Sequence, residues 1–406
     1  MRLDMYWFIS QRQLHSRKPQ LPDFTPMRLL LIGAGHAHAQ VLRDWAAAPV
    51  AGVEVVLVTP AALSPYSGRV PAWLAGRCGS FAEICIDFAA LAAAAGARLM
   101  LGEVAALDAQ AGCVRLRSGA SLGYDWLSLN VGATLTPPPA SAATRVLALR
   151  PLSQLQTTWP ALLIDPALRD VGAAADPLRI TMAGGGAAGV ECLLAVLAQL
   201  RHLHPQRALK ARLVSRSAQL IPGLAAGAGR AAIAALARAG VEVDTGADFE
   251  FGCAVGHAPG PAQPPDWLLW ATGAEAHPWQ AGSGLALGES GFVRVDAQLR
   301  SISHPNVFAA GDAAEWATPL PKSGVMAVRM GPVLSHNLRA AVAGGALGRF
   351  KPQRRSLALL ATADGSAIAA WGGWSAHGRW VCHWKDHLDR QFLRRYALLK
   401  PRHSAV

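Results

Sequence analysis

Two stretches of the chain repeat one pattern of apolar and small residues. In the first, an apolar run ends in Gly33-Ala34-Gly35, continues as HAHAQVLRDWAA and is followed by the apolar run VEVVLVTP. In the second, RITMA leads into GGGAAG, which continues as VECLLAVLAQL and is followed by ARLVSRS. Continuous apolar runs predict strands buried on both faces of a parallel sheet, and the longer segments between them predict crossover helices. Two such units roughly 150 residues apart predict duplicated Rossmann-like domains in an α/β fold.

Further apolar runs complete the pattern. DWLLWATGA (266–274) and NVFAAGDAA (306–314) are each predicted to be strands that end in small residues. From residue 357, LALLAT-ADGS-AIAAW predicts a hairpin with an Asp-Gly turn, and the segment from about 380 to 399 predicts a final helix. A Pro cluster at 137–139, followed by LRPLSQLQTTW, indicates a linker into the second unit.

The second glycine turn has a complete dinucleotide-binding motif. Gly184 is placed to make the tight turn, Gly186 to admit a pyrophosphate to the backbone, and Gly189 to let the helix pack closely on the strand. The N-terminus of the helix then offers free N–H groups and the positive end of its dipole to the phosphates. This stretch therefore predicts a nucleotide site.

The residues around this turn bear on which nucleotide binds. The second strand of the unit ends in Ser215 and Arg216 where an acidic residue would contact the ribose of NAD, and an Arg favours the 2′-phosphate of NADPH. Glu191 is predicted either to reach the nicotinamide half or only to interact with the helix dipole. Gly273, after the strand at 266–270, is a further candidate contact.

The first glycine turn is incomplete. Gly33 and Gly35 are present, but His38 occupies the position of the third glycine, and the second strand ends in Thr59 with no ribose-binding acid. The motif alone leaves dinucleotide binding open. His36 and His38 are two residues apart at a helix start, so they do not form a metal-ligand pair, and no metal site is predicted.

A late motif supports the first site. VFAAGDAAEW places Gly311 and Asp312 at the end of an apolar strand, where the carboxylate can accept a hydroxyl of the ribityl chain of a flavin. The segment NVGAT, with Gly132, ends the first unit. Two glycine turns, a T-G-A after a strand and a late G-D together have the layout of flavoproteins with two dinucleotide-binding domains.

Four segments carry a more specific resemblance: GAGHAH (33–38), SPYSGRVPAWLAG (64–76), PKSGVMAVRMGPVLSHNL (321–338) and WKDHLDRQF (384–392). From residue 27 onward the chain resembles type II NADH:quinone dehydrogenases, and in particular the flavoprotein module found fused to selenophosphate synthetase. The resemblance implies a glutathione-reductase-like fold in which the FAD domain is split by the NAD(P)H domain. It also implies that Gly33-x-Gly35-x-x-His38 cradles FAD, because a His is usual there in this subgroup.

The resemblance and the pattern together predict five segments. These are an N-terminal extension, disordered or a start-site artefact (1–26), the first part of the FAD domain (27–148), the NAD(P)H domain (149–273), the second part of the FAD domain (274–346), and a C-terminal hairpin with a basic amphipathic helix (347–406).

The positions of the cysteines bear on which electron acceptor the protein uses. The stretch LSPYSGRVPAW lacks the C-x4-C pair of disulfide reductases, and the six cysteines form no C-x-x-C pair either. Sulfide:quinone reductases need further cysteines, and none lies between Cys253 and Cys382. A quinone-like acceptor remains. Lys322, after the flavin-capping turn, is a candidate catalytic residue that stabilises the negative charge of reduced flavin, or it is a surface lysine.

The tail is basic and amphipathic. Residues 351–406 carry ten Lys and Arg against three Asp, which is +7 of the net +12. Trp384, Leu388, Phe392 and Tyr396 recur at every fourth position, so the helix is predicted to lie in a membrane interface, or to pack on the FAD domain or on a second subunit in a homodimer. Nucleic acid is not expected, because no recognition module accompanies the charge.

Location follows from what the sequence lacks. No run of 18 apolar residues predicts a membrane span, and residues 1–26 have no apolar signal-peptide core. The prediction is a cytoplasmic protein, or one peripheral to the cytoplasmic face of the inner membrane. Its predicted activity is transfer of a hydride from NAD(P)H to FAD and of electrons to a quinone. The alternatives are a reductase of selenium or sulfur metabolism and a low-turnover flavin-binding accessory protein.

Overall fold

The computed structural model describes residues 26–139, 144–169, 176–249, 264–353 and 355–397. The predicted N-terminal extension lies outside this part of the chain, except for residue 26. The α-helices are α1 (His36–Ala47), α2 (Val70–Leu74), α3 (Phe88–Ala94), α4 (Leu155–Leu163), α5 (Ala187–Leu203), α6 (Ala226–Arg238), α7 (Gly324–Val342) and α8 (Arg379–Tyr396).

The strands are short and regular. They are β1 (Met27–Ile32), β2 (Val53–Thr59), β3 (Leu63–Pro65), β4 (Cys85–Asp87), β5 (Arg98–Leu101), β6 (Val104–Asp108), β7 (Cys113–Leu116), β8 (Ser121–Gly123), β9 (Trp126–Leu129), β10 (Arg145–Ala148), β11 (Leu178–Ala183), β12 (Leu209–Ser215), β13 (Val241–Thr245), β14 (Trp267–Trp270), β15 (Val293–Arg294), β16 (Val307–Ala309), β17 (Ala314–Glu315), β18 (Leu357–Ala361), β19 (Ala367–Trp371) and β20 (Trp374–Gly378).

The first sheet holds five parallel strands in the order β16-β9-β1-β2-β5. The central strand β1 is fully buried over Leu29–Leu31, as its continuous apolar run requires. Helices α1 and α7 pack together against one face of the sheet. Because β16 comes from the end of the chain and the other four strands from its beginning, this domain is built from two separate segments.

The second sheet has five parallel strands in the order β10-β14-β11-β12-β13. Its core surrounds α5, which is buried along most of its length. The two sheets confirm the predicted α/β class with two Rossmann-like domains. The sequence-based division places residues 145–148, strand β10, in the first domain. In the structure β10 belongs to the second sheet, where it pairs in parallel with β14 (267–270).

The C-terminal element adds a third antiparallel strand to the predicted hairpin, in the order β18-β19-β20. Gly365 has φ +88° in the turn between β18 and β19, as an Asp-Gly turn favours. Helix α8 follows, with Phe392 and Tyr396 packed on the first domain and the Tyr396 hydroxyl donating to Gln40 Oε1 at 3.2 Å. Phe392 and Tyr396 of the predicted apolar stripe therefore pack within the chain.

Candidate functional site

The second glycine turn has the geometry that a phosphate site requires. Gly184 adopts φ +123°, and a Cβ on Gly189 would lie 2.0 Å from the Gly184 carbonyl oxygen. Gly189 is therefore needed for α5 to sit against the turn. Gly186, the N-cap of α5, makes no side-chain cap and faces open space. The first turn of α5 thus lies open to an anion.

The neighbouring strand ends border this turn. A Cβ on Gly185 would lie 2.5 Å from Ser215 Oγ, so the end of β12 adjoins the glycine turn. Arg216 follows as an exposed side chain at that edge, where it could meet a 2′-phosphate. Gly273, after β14, also faces open space. Four of the six predicted NAD(P)H contacts (Gly184, Gly186, Arg216 and Gly273) therefore border one open edge of the second sheet.

In the first turn the key residue is Asn130, which the sequence patterns do not single out. Its Oδ1 accepts from the backbone N–H groups of Ala37 and His38 at 3.0 and 3.2 Å, and its Nδ2 donates to the Ala310 carbonyl oxygen at 2.8 Å. A Cβ on Gly35 would lie 2.2 Å from Asn130 Oδ1. Asn130 thus caps α1 and ties it to the end of β16, which carries Gly311 and Asp312.

His38 explains how the first turn dispenses with its third glycine. It is fully buried, its Nδ1 donates to the Gly33 carbonyl oxygen at 2.7 Å, and its Nε2 accepts from Ser128 Oγ at 2.8 Å. In the second turn the equivalent carbonyl, of Gly184, lies against Gly189 instead. Burial lowers the pKa of His38 to about 4, against the hydrogen bond to Gly33, so the imidazole is neutral. Its side chain holds the turn and has no nitrogen left for a cofactor.

Two other predicted FAD contacts differ in exposure. The Thr59 side chain at the end of β2 is buried and donates to the Ala61 carbonyl oxygen at 3.1 Å. Gly132 has φ +71° and open space at its Cβ position. The glycine turn, the capped α1 and this open loop have the features of an FAD cradle, and the residues present fit that cofactor.

Because His38 is neutral in the folded protein, we expect its replacement to change the pH dependence of stability. A depressed folded-state pKa contributes stability that is present above the unfolded value of 6.5 and is lost as the pH falls toward 4. For His38 this is about 3 kcal/mol in the free energy of unfolding. His38→Gln should therefore lose stability less steeply between pH 6.5 and 4.5 than the parent chain.

Urea unfolding followed by circular dichroism at several pH values measures this difference. His202→Gln, at an exposed position on α5, is the control and should keep the parent slope. Equal slopes for His38→Gln and the parent would contradict a neutral, buried His38.

Asp312 lies where the predicted ribityl contact should be, at the turn Gly311–Ala313. Its carboxylate is nearly buried and pairs with Arg150 Nη1 at 2.8 Å. Lys322 Nζ donates to the carbonyl oxygens of Asp312 and Ala314 at 2.9 and 2.8 Å and lies 3.5 Å from the centre of the Phe292 ring. Burial lowers the pKa of Lys322 to about 8. The lysine thus holds the turn that presents Asp312.

Around His36 an aromatic cluster joins α8 to this site. His36 packs edge-on against Tyr66, with ring centres 5.6 Å apart, and Tyr66 stacks on Phe392 of α8 at 4.2 Å. Burial lowers the pKa of His36 to about 4, and the charge of Asp312 opposes the change. A Cβ on Gly324, at the start of α7, would lie 3.0 Å from Ser67 Oγ. The segment 64–76 therefore meets α1, α7 and α8 at one place.

Glu191 is directed away from the glycine turn and toward α8. Its Oε1 accepts from the Ala361 backbone N–H at 2.7 Å and lies 3.5 Å from Lys385 Nζ. Lys385 Nζ also donates to Asp389 Oδ2 at 2.8 Å and to the Gly68 carbonyl oxygen at 2.7 Å. All three charged side chains are buried. Glu191, Lys385 and Asp389 are called the buried ion cluster below.

The electrostatics of the buried ion cluster follow from its burial. Burial raises the pKa of Glu191, and the charge of Lys385 opposes that change only in part. Burial lowers the pKa of Lys385, but Glu191 and Asp389 more than compensate and the net change is upward. Burial also raises the pKa of Tyr66, and Asp389 adds to the effect. The cluster can therefore hold a proton close to the turn that carries Tyr66 and Gly68.

A cavity of about 740 Å³ opens beside the buried ion cluster, between α2, α5, α8 and the end of β18. Small side chains form much of its wall, among them Pro71, Ala72, Ala195 and Ala361. The volume is in the range of small-molecule sites. Since Lys385 contacts Gly68 and Ser67 adjoins Gly324 at the start of α7, the segment 64–76 lies between the cavity and the candidate FAD cradle.

The cysteines and the potential metal ligands of the described residues are the remaining candidate groups. In the part of the chain that the structure describes, no group of three or more His, Cys, Asp or Glu could hold a metal ion. Cys78, Cys85, Cys113, Cys192 and Cys382 are free thiols, and Cys253 lies outside the described residues.

The family of the chain follows from its match to a family model. Residues 27–331 match the model of the pyridine nucleotide-disulphide oxidoreductases. The protein belongs to this family, which confirms the predicted oxidoreductase class and the predicted cofactors, FAD with NADH or NADPH as electron donor.

Solved structures of similar fold accord with this assignment. The sulfide:quinone oxidoreductase of the hyperthermophilic bacterium Aquifex aeolicus is 14% identical with a TM-score of 0.72, and 91% of each chain is covered. NDH2 of Plasmodium falciparum, in complex with NADH, is 12% identical with a TM-score of 0.73, over 91% of this chain and 97% of that one. The water-forming NADH oxidase of Lactobacillus brevis is 20% identical with a TM-score of 0.63, over 85% and 75%. These likenesses establish the fold.

Proposed function

We propose that this protein passes electrons from NADH or NADPH, through FAD, to a quinone-like acceptor that binds in the cavity beside the buried ion cluster. The observation that carries the proposal is the position of this cluster, where the helix of the second glycine turn, the segment 64–76 and α8 meet. A flavin supplies the chemistry of accepting a hydride from a nicotinamide and returning the two electrons to another acceptor.

Some of the proposed cofactor residues border the nucleotide sites, and others hold the backbone that forms these sites. For FAD, Gly33, Gly35, His36, Thr59, Gly132, Gly311 and Asp312 border the cradle, while His38 and Lys322 hold the backbone of its two turns. For NAD(P)H, Gly184, Gly186, Arg216 and Gly273 border the open edge, while Gly189 lets α5 pack. Glu191 acts on the acceptor side in this proposal.

The buried ion cluster supplies the proton that the acceptor needs. In the overall reaction NAD(P)H, one proton and a quinone give NAD(P)⁺ and a quinol, so both quinone oxygens become protonated. Glu191 and Lys385 line the cavity and lie 3.5 Å apart, so Lys385 can donate a hydrogen bond to an acceptor oxygen and keep its charge while Glu191, whose pKa burial raises, passes on the one proton and regains it from solvent. The other hydrogen of the quinol comes from NAD(P)H. A ligand that fills the cavity would displace water and so strengthen these interactions.

Anaerobic stopped-flow reduction of the purified protein tests the first half of the proposal. Rapid bleaching of the flavin absorbance by NADH or NADPH is the expected result, and a preference for NADPH that is lost in Arg216→Ala would assign Arg216 to the 2′-phosphate. A yellow protein that neither nucleotide bleaches would instead support the flavin-binding accessory protein. A colourless protein would reject the flavin proposal.

Reoxidation tests the second half. Mixing the reduced protein with a soluble naphthoquinone should restore the flavin absorbance, and Glu191→Gln should slow this phase while leaving reduction by the nucleotide within about twofold. A disulfide or a selenium compound that reoxidises the protein faster than any quinone would favour the alternative of a reductase in selenium or sulfur metabolism. That alternative rests on the sequence resemblance to the module fused to selenophosphate synthetase.

A membrane surface is the proposed place of action, because three tryptophans are exposed on the C-terminal element. Trp371 and Trp374 pair across the β19–β20 turn, and Trp380 lies in the first turn of α8; they are 54%, 50% and 56% exposed. Tryptophans beside basic residues are typical of membrane interfaces. Among the described residues, no helix is long and apolar enough to cross a membrane.

Vesicle binding tests this surface. The variant Trp371→Ser/Trp374→Ser/Trp380→Ser should lose binding to vesicles containing anionic lipid by about tenfold, because interfacial partitioning scales with buried apolar area. Sedimentation with the vesicles measures it. Ile164→Ser/Leu203→Ser, at exposed positions elsewhere, is the matched control and should bind as the parent does. Equal binding of the tryptophan variant would reject the membrane proposal.

A further inference from the structure

The rim of the cavity is strongly basic, whereas its inner end is not. The rim is defined here by the charged residues that line the cavity outside the buried ion cluster: Arg69, Arg77, Asp386, Arg390 and Arg394. Four cations and one anion leave a formal charge of +3 there. In the buried ion cluster, one lysine lies between two carboxylates. A molecule that fills the cavity therefore spans two different electrostatic environments.

The rim charges are compensated unevenly. Asp386 pairs with both Arg69 and Arg390, so one carboxylate serves two guanidinium groups. Arg77 donates to the Ala363 carbonyl oxygen at 2.6 Å, which satisfies an N–H but leaves the charge. Arg394 is exposed, and no ion pair of the described residues includes it. Arg77 and Arg394 thus present positive charge to whatever enters.

Resting on the proposed function, we infer that the acceptor is an anion: a flat quinone-like ring with a carboxylate, sulfonate or phosphate group that reaches Arg77 and Arg394 at the rim. Burial fixes the direction of the ligand. Glu191, Lys385 and Asp389 are less than a tenth exposed and lie at the inner end, next to the turn that carries Gly68. Arg77, Arg390 and Arg394 are exposed and lie at the outer end.

A neutral quinone would gain nothing from these charges. An arginine pairs with carboxylate and phosphate through two parallel N–H groups, and several convergent cations raise the local concentration of an anionic ligand. The rest of the wall combines small side chains such as Ala72, Ala75 and Ala363, which suit a flat ring, with the polar side chains of His383, His387 and Gln391. The rim is therefore the part of the cavity that distinguishes one acceptor from another.

Two matched naphthoquinones test the inference. They share the ring and a short alkyl side chain, which ends in a carboxylate in one and in a primary amide in the other. Isothermal titration calorimetry on the oxidised holoprotein at low salt should show that the carboxylate binds about fivefold more tightly than the amide. With NAD(P)H as the electron donor, the KM values of the two naphthoquinones should differ by the same factor. In about 0.5 M NaCl the ratio should fall below about twofold, because salt screens exposed charges.

Variants locate the effect. In Arg77→Gln/Arg394→Gln the ratio of the two dissociation constants should fall to about one. The control Arg117→Gln, at an exposed arginine outside the cavity, should keep the ratio of the parent. Two results would overturn the inference while leaving the proposed function intact. The first is that the parent binds both naphthoquinones equally well, and the second is that the double variant still prefers the carboxylate as the parent does.

The remaining outcomes separate the inference from the proposed function. NAD(P)H could bleach the flavin while the reduced protein reduces neither naphthoquinone. This result would reject both the quinone-like acceptor and the inference. Equal binding of both naphthoquinones, together with vesicle binding that requires Arg77 and Arg394, would assign the two arginines to lipid headgroups and overturn the inference alone.

Discussion

Gly189→Ala is expected to disable the NAD(P)H site through a single added methyl group. The Cβ would lie 2.0 Å from the Gly184 carbonyl oxygen, a backbone atom that no side-chain rotation can move away. Helix α5 must therefore shift off the turn, and its N-terminus moves away from where the phosphates bind. Overpacking of this kind costs about 2 kcal/mol in the free energy of unfolding. We expect the dissociation constant for NAD(P)H to rise at least about tenfold, since the phosphate contacts depend on α5.

Titration of the protein with NADH and NADPH, followed by fluorescence, measures the loss, and urea unfolding measures the stability. Gly229→Ala in α6 is the matched control, because its nearest backbone neighbour, the Leu220 carbonyl oxygen, lies at 3.6 Å, an ordinary contact. A glycine inside a helix is disfavoured, so Gly229→Ala should stabilise the protein by about 0.5–1 kcal/mol and leave binding unchanged. Unchanged nucleotide affinity in Gly189→Ala would show that α5 does not bind the phosphates.

Lys385→Met is expected to be the most destabilising single change in the C-terminal element. It leaves Glu191 and Asp389 buried without a cation, and breaking a buried ion pair by removing one partner costs about 3–5 kcal/mol. It also removes the hydrogen bond to the Gly68 carbonyl oxygen, which ties α8 to the segment 64–76. Lys210→Met is the control: this lysine pairs with Glu242 at 3.8 Å on the surface, and its loss should cost less than about 1 kcal/mol.

The pH dependence of Lys385→Met gives a second, independent readout. Glu191 already has a raised pKa from burial, and loss of the lysine removes the main effect that opposes it. A raised folded-state pKa contributes stability that is present below the unfolded value and is lost as the pH rises through the folded value. The variant should therefore lose stability as the pH rises above about 4.5, the ordinary pKa of a Glu side chain.

Restoring neutrality should rescue the variant. In Lys385→Met/Glu191→Gln/Asp389→Asn no charge remains in the buried ion cluster, and replacement of a whole buried ion cluster by uncharged groups is often close to neutral in stability. Recovery of most of the lost free energy of unfolding, together with loss of the pH dependence, is the expected result. A triple variant no more stable than Lys385→Met would show that Lys385 acts mainly through Gly68.

Sequence by itself determined the architecture and the positions of both glycine turns. The run at 29–32 is wholly apolar and the run at 178–183 is apolar except for Arg179 and Thr181, as is typical of strands buried on both faces of a parallel sheet. The glycines at 184, 186 and 189 follow from local chain geometry, which sequence spacing records directly. The family match over 27–331 agrees with the class inferred from these features.

Only the tertiary structure decided how the imperfect parts of the site work. Asn130 caps a helix that begins 94 residues earlier, and His38 replaces a glycine because Ser128 and the Gly33 carbonyl oxygen surround its ring. Similarly, Glu191 and Lys385 are in contact although they are 194 positions apart. The local sequence around Glu191 indicates only an interaction with the helix dipole, and that around Lys385 only a basic helix face. Periodicity encodes which face of an element is buried; which distant side chain it faces depends on how the sheets and helices pack.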